Sequence, residues 1–238
     1  MALVLAESLR DRNGFNAPDL VARYLRWWQK DGFDTGPTVE NVLARVASGI
    51  KISRAAAQVH ADSGGMTAGC NPAHRVAPLA LCVAVPDRKL ANIAVQEAAL
   101  THRHPLAGQA SAVMASLCRS LIQGETWEPA LDRALKNRSG AFRAAFKTSA
   151  AGPLSPSGFA PDALAAAVHF VAGAESFETA FEAAIEFAGP ANYCPVLVGA
   201  LAGARWGGAG IDRGWTGHHG ASASALEAVA DALVSRPG

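Results

Sequence analysis

The sequence predicts an all-α fold in a single domain over residues 1–238, and three observations predict it. Apolar residues recur at helical spacing in one segment after another. Half of the chain (50%) is apolar, much of it alanine, against 17% charged residues, which suits a helix-rich globule with a large interior. No run alternates apolar and polar with the period of 2 that a half-buried strand requires. There is no internal repeat and no linker long enough to argue two domains.

The elements follow in order. Ala2–Arg12 reads as a helix with Leu3, Leu5 and Leu9 apolar but nothing capping its start, which suggests missing upstream sequence. Asn16-Ala17-Pro18 opens a helix to about Lys30, with Leu20, Val21, Tyr24, Leu25 and Trp28 at helical spacing. A loop over Gly32–Pro37 follows. Thr38 is then expected to cap a helix carrying Val39, Val42, Leu43 and Val46, stopped near Gly49. Ser53–Ala61 is a short helix, and Ser63–Pro72 a glycine-rich turn that leads into His74 and Arg75. Lys89–Leu100 is helical and ends at Thr101-His102-Arg103-His104-Pro105. Leu106–Gln123 is a long alanine-rich helix ended by Gly124, and Thr126 starts another to about Lys136. Ser149–Pro156 reads as a connecting loop. Pro161–Val171, Phe177–Phe187 and Val196–Trp206 are three helices in succession. A glycine-rich loop with Trp215, His218 and His219 precedes a last helix, Ser222–Val234.

Composition also excludes classes of function. A net charge of +1 gives no field to attract nucleic acid or an anionic membrane, and no stretch is long and apolar enough to span a bilayer. The N-terminus MALVLAESLRDR has neither the basic leader nor the apolar core of a signal peptide. Cys70, Cys82, Cys118 and Cys194 are scattered, with no CxxC pair, as expected of reduced thiols in a cytoplasmic protein.

The helix Val196–Trp206 is expected to be central and mostly buried. Gly199 and Gly203 lie one turn apart, so their face should touch another helix at short range. The turn before it, Gly189–Pro195, offers backbone N–H groups and a positive dipole end, which suits an anion or polar ligand as well as a plain tight entry turn. The Ser63–Pro72 turn followed by His74 and Arg75 has the make-up of a phosphate cradle, or of a loop with a solvated charge. His102 and His104 could meet one ligand or serve structure alone.

With these residues in view, the chain resembles the ADP-ribosylglycohydrolase family, including the dinitrogenase reductase-activating glycohydrolases. MALVLAESL resembles the helix after that family's Thr-Asp-Asp-Thr motif, and Phe33–Thr38 its F-D-x-G-x-T segment. Gly69–Leu79 resembles the N-G-S-x-M-R-x-A-P-L loop, and Thr101–Pro105 matches T-H-x-H-P. Ser157–Leu164 resembles G-Y-V-x-D-T-L, Ser176–Ala180 matches S-F-E-x-A, and Gly199–Ala204 matches G-A-L-A-G-A. The order of these motifs, covering essentially the whole chain, is more specific than any one of them.

The resemblance implies a helical domain that binds ADP-ribose in a cleft. There two Mg²⁺ ions, hard cations that want oxygen ligands, activate a water to cleave an N- or O-glycosidic bond. Here the chain departs from the family. The Thr-Asp-Asp-Thr ligands and the N-terminal segment carrying them are not in it. The two aspartates of the family's G-G-D-T-D-T motif fall on Pro190 and Asn192, and its last threonine on Tyr193. In the phosphate loop Asn-Gly-Ser becomes Cys70-Asn71-Pro72 and the methionine becomes His74, while Arg75 and Pro78 are kept. The resemblance therefore implies no metal site and no bound cofactor in this chain, although Mg²⁺ serves the family. It implies ligand-binding roles for Asn71, His74, Arg75, His102, Asn192 and Tyr193, with Arg75 alternatively a buried ion-pair partner. Asp34 and Asp162 are the candidate catalytic carboxylates, or else a loop cap and a first-turn helix charge. The expected partner is an ADP-ribose-like small molecule or an ADP-ribosylated substrate, with no nucleic acid and no membrane; a homo-oligomer is left open. Two functions follow: a hydrolase of an ADP-ribosyl or related glycosidic bond, or an inactive ligand binder or regulatory pseudoenzyme.

Overall fold

The computed structural model describes residues 1–189, 193–212, 214 and 220–235. Among them are fourteen α-helices and no strand, so the helical class read from the sequence is the one observed. In order these are α1 (Ala2–Asp11), α2 (Ala17–Lys30), α3 (Pro37–Ala47), α4 (Ile52–Asp62), α5 (Asn71–Arg75), α6 (Ala77–Leu81) and α7 (Asp87–Ala98). They continue as α8 (Pro105–Ile122), α9 (Trp127–Lys136), α10 (Gly140–Ala151), α11 (Ala160–Gly173), α12 (Phe177–Ala188), α13 (Tyr193–Trp206) and α14 (Gly220–Val234). No helix among the described residues is long and apolar enough to cross a membrane.

The fold is organised around α8. Alanine, serine and glycine at positions 107, 108 and 110–112 make it thin, so neighbours pack closely against it. Val113, Met114, Leu117 and Leu121 are buried further along. The helices α5, α6, α7, α9, α11 and α13 all pack on it. Gly108 marks the closest approach to α7, since a Cβ there would stand 3.3 Å from Val95 Cγ1. This revises the expected centre. Helix α13 buries Cys194, Leu197, Val198, Leu201 and Ala202, but Tyr193 and Val196 on its outer side are each 40% exposed. Of its two glycines, Gly199 is the one near a partner, since a Cβ there would stand 3.5 Å from the Phe181 ring, while one on Gly203 would meet open space. The expected close contact of the small face is thus made at Gly199, against α12, and not at Gly203.

Other differences have local causes. Helix α3 starts at Pro37 with Gly36 as N-cap, at φ 74°, and no side-chain cap forms. Thr38 therefore lies inside the helix; Pro37, whose missing N–H costs nothing in a first turn, fixes the start. Helix α13 begins at Tyr193 and takes Pro195 into its first turn. Helix α10 occupies residues where no helix was expected; Ser139 caps it by accepting from Phe142 N–H, and its only fully covered side chain is Phe142. The stretch after the glycine-rich turn forms the short helices α5 and α6, each with proline in its first turn.

Two apolar cores are separate. The main one runs from α1 to α14. The second is small and unites Val42 of α3 with Ala55, Ala56 and Val59 of α4. Helix α3 touches the main core through Val39 and Leu43.

Candidate functional site

Loops and helix starts from across the chain meet in a cleft of about 410 Å³. One wall is the 34–39 segment, where Asp34 adopts a left-handed φ of 46°, a conformation costly for most non-glycine residues and frequent at ligand sites. Glu40 anchors this wall by accepting from Trp28 Nε1 (2.7 Å) and from Thr35 Oγ1 (2.9 Å). The opposite wall is held by a short antiparallel clasp. Cys70 N–H donates to the Gly158 carbonyl (2.9 Å) and Ala160 N–H to that of Ala68 (2.8 Å). A Cβ at either face of the clasp would press on a side chain of the cleft. A Cβ on Gly69 would lie 3.3 Å from His102 Nε2, and one on Gly158 would lie 3.1 Å from the Tyr193 ring.

Beneath the cleft is a buried polar knot. Arg75, 2% exposed, donates from Nε to Glu97 Oε1 (2.7 Å), and Glu97 is fully buried. Other guanidinium nitrogens donate to Asn71 Oδ1 (2.6 Å) and Thr101 Oγ1 (2.9 Å). Tyr24 donates its hydroxyl to Glu97 Oε1 (2.9 Å), and its ring lies 5.4 Å from the guanidinium carbon. Burial alone would lower the Arg75 pKa, but the facing Glu97 carboxylate outweighs it and raises it. Burial, with the Glu97 charge, keeps Tyr24 protonated far above its ordinary value. Arg75 is therefore a structural ion-pair partner that aims Asn71, the alternative allowed for it, and it does not itself line the cleft.

Both histidines of the cleft are neutral. His74 Nε2 lies 2.9 Å from the Tyr193 carbonyl, an obligate acceptor, so the proton sits on Nε2 and Nδ1 keeps its lone pair. Burial lowers the His74 pKa to about 4 against the opposing pull of that carbonyl bond. His102 Nδ1 lies 2.9 Å from Thr101 Oγ1, which already accepts from Arg75. The Thr101 hydroxyl has one proton to give, and in the tautomer where Nδ1 accepts it His102 is an Nε2–H donor beside Gly69. Burial, then the charge of Arg75, drops its pKa to about 3. Thr67 supports the same turn, accepting from His104 N–H (3.1 Å) and bonding His60 Nδ1 (2.7 Å). The Cys70 and Cys194 thiols are pushed up to about 12 by burial, so neither is a thiolate at neutral pH.

Asp34, Asn71, His74, His102 and Tyr193 are thus brought to one cleft. Asp162 is placed elsewhere: in the first turn of α11 it accepts from the hydroxyls of Ser149 (2.5 Å) and Ser157 (2.7 Å), which ties down the loop before the clasp. Asn192, with Pro190, Trp215, His218 and His219, lies outside the described residues. His104 caps α8 through Nδ1, which accepts from Leu106 N–H. Sequence reasoning missed Glu97, Tyr24 and Thr35. Glu97 sits among the ordinary polar residues of α7, and only the burden of an unpaired Arg75 could have pointed to it.

The comparisons with known proteins agree with one another. The family model described as ADP-ribosylglycohydrolase matches residues 1–238. A protein of Escherichia coli (strain K12) described as uncharacterized protein YegU is 31% identical over 141 residues, 56% of this chain and 39% of its own length, so the match spans well under half of that relative. A solved structure described as an ADP-ribosylglycohydrolase-related protein complex is similar with a TM-score of 0.78 and 31% identity, over 98% of this chain and 78% of that one.

Proposed function

The chain belongs to the ADP-ribosylglycohydrolase family, and from that premise we propose that its cleft binds an ADP-ribose-like group through neutral hydrogen-bonding side chains and helix starts. The observation that carries this reading is the composition of the cleft. Asn71, His102 Nε2–H and the hydroxyls of Thr35 and Thr38 offer uncharged partners, and Asp34 is the one carboxylate among the lining residues. The starts of α3 and α13 both border it, and the positive ends of two helix dipoles suit the diphosphate of such a ligand. Tyr193, 40% exposed and stacked beside His74 with ring centroids 6.4 Å apart, offers a flat face for a base or ribose.

The two Mg²⁺ ions implied by the family's motifs do not fit these residues. Among the described residues no three His, Cys, Asp or Glu side chains are grouped to hold a metal. The described lining supplies one carboxylate where a pair of dications wants one or two carboxylates each, neutral imidazoles suit softer metals, and the thiols stay protonated. The two helix dipoles disfavour a cation further. The reading is accordingly recognition without metal-dependent hydrolysis.

Asp34 favours one second reading. Its left-handed backbone holds the only carboxylate among the described lining residues, so a metal-independent hydrolysis would use it as the acid–base group. Calorimetry with ADP-ribose, with and without Mg²⁺, separates these, together with hydrolysis of ADP-ribosyl-arginine in the presence of a chelator. We expect binding that Mg²⁺ leaves unchanged and little or no hydrolysis. Tight Mg²⁺ binding, or activity that a chelator abolishes, overturns the reading. Chelator-resistant activity lost in Asp34→Asn establishes the second.

A further inference from the structure

A second depression, of about 600 Å³, lies between the N-terminal half of α7, the C-terminal half of α8 and the end of α9. It is far from the first. His102 lines the ligand cleft just before α8 begins, whereas Arg119 stands about four turns into that helix, about 21 Å from its start at the helical rise. Its lining carries Arg88, Arg119, Arg133 and Arg138 against a single carboxylate, Asp87. That carboxylate is already taken: Arg119 donates to it (2.5 Å) and spends its other hydrogens on the carbonyls of Leu79, Ala80, Cys82 and Val85. Arg133 pairs with Glu125, which does not line the depression, and is itself 72% exposed.

Arg138 is the anomaly. Its Nε is buried and has no hydrogen-bond partner, and no carboxylate pairs with it among the described residues. Burial alone lowers its pKa, with no opposing charge. Arg138 is half-buried, so only its Nε is shut off from water, at a cost in free energy while it stays unpaired, and the fork geometry of its donors matches phosphoryl or carboxylate oxygens. Arg88 adds a further cation with no ion pair among the described residues. Asn92 and Ser116 add neutral hydrogen-bonding groups to the lining.

We propose that this depression is a second ligand site, for a phosphorylated small molecule, with Arg138, Arg88 and Arg133 holding the phosphoryl oxygens and Asn92 and Ser116 meeting its uncharged part. Arg88 and Arg138, the two cations of the lining with no ion pair among the described residues, call for more than one negative charge, which favours a phosphoryl group over a lone carboxylate. The cavity is larger than a bare phosphate, so the ligand carries more than that group.

The test is calorimetric titration of the whole chain with sodium pyrophosphate, orthophosphate and citrate at fixed ionic strength. Pyrophosphate is expected to bind more tightly than citrate. Arg138→Gln is expected to weaken it at least tenfold, Arg88→Gln several-fold, and Arg138→Lys to an intermediate degree because the charge remains without the fork. Arg138→Lys also serves if Arg138→Gln fails to fold. A cleft variant, Asn71→Ala, should leave this binding in place. The proposal is overturned if neither pyrophosphate nor orthophosphate binds measurably, if citrate binds more tightly, if the Arg138 variants bind like the parent, or if Asn71→Ala alone abolishes the binding.

Discussion

His74 and His102 are kept neutral by burial, and that makes them a liability in acid. Their folded pKa values, about 4 and about 3, lie below the ordinary imidazole value of 6.5. Below pH 6.5 the unfolded chain therefore takes up protons that the folded chain refuses, and stability falls as pH falls. The loss accrues at up to about 1.4 kcal/mol per pH unit for each ring and levels off once the folded pKa is passed. Urea denaturation between pH 7 and pH 4 should show this slope, and His102→Gln should flatten it; an unchanged slope would mean the ring is not buried neutral. Arg75 and Glu97 give a sharper prediction. Arg75→Leu leaves a buried carboxylate unpaired and should cost about 3–5 kcal/mol, while Arg75→Leu with Glu97→Leu should regain most of it. A double variant as unstable as the single one would contradict the pairing. The position of Arg75 was legible in the sequence as part of a motif. Its role was not, because the partner carboxylate lies two helices away and nothing in a local pattern names a tertiary partner.

At the scale of elements, the periodic helices were readable to within a few residues, and the errors fell where caps and packing decide. Gly36 starts α3 by backbone conformation and Pro37, a device a search for side-chain caps passes over. Helix α10 was hidden because only Phe142 among its side chains is fully covered, so it has little apolar face to read. The prominence expected of α13 rested on its small residues, yet Gly203 meets nothing; small residues permit a close approach and do not require one. Where α12 begins, Ser176 and Thr179 form a reciprocal capping box, and Ser176→Ala should cost about 1 kcal/mol in thermal or urea unfolding. The clasp makes a different prediction. Gly158→Ala pushes on the outer end of the Tyr193 ring, 3.1 Å from the new methyl group, which can swing aside. Stability should change by less than about 1 kcal/mol, while ADP-ribose affinity by calorimetry should drop several-fold. Unaltered affinity would remove Tyr193 from the binding surface.

For the molecule as a whole, the order of motifs gave the family before any single motif could, since each alone is short and common. What that order could not supply was the depth of the arrangement: which polar residues face the cleft and which lie beneath it. The small second core of α3 and α4 has a consequence for motion. With Val42, Ala55, Ala56 and Val59 its only fully covered members, this pair should open at lower free energy than α8. Native-state hydrogen exchange should show its amides exchanging first, with ADP-ribose slowing them because α3 forms a wall of the cleft; uniform protection across α3, α4 and α8 would refute this. The bond from His74 to the Tyr193 carbonyl joins residues 119 apart in sequence. A growing chain can therefore build the α7–α8 hairpin early, from neighbours, yet it cannot shut the cleft until α13 has left the ribosome. Ligand arriving during synthesis would meet a half-made wall, so it can reward only a completed chain, never guide an unfinished one.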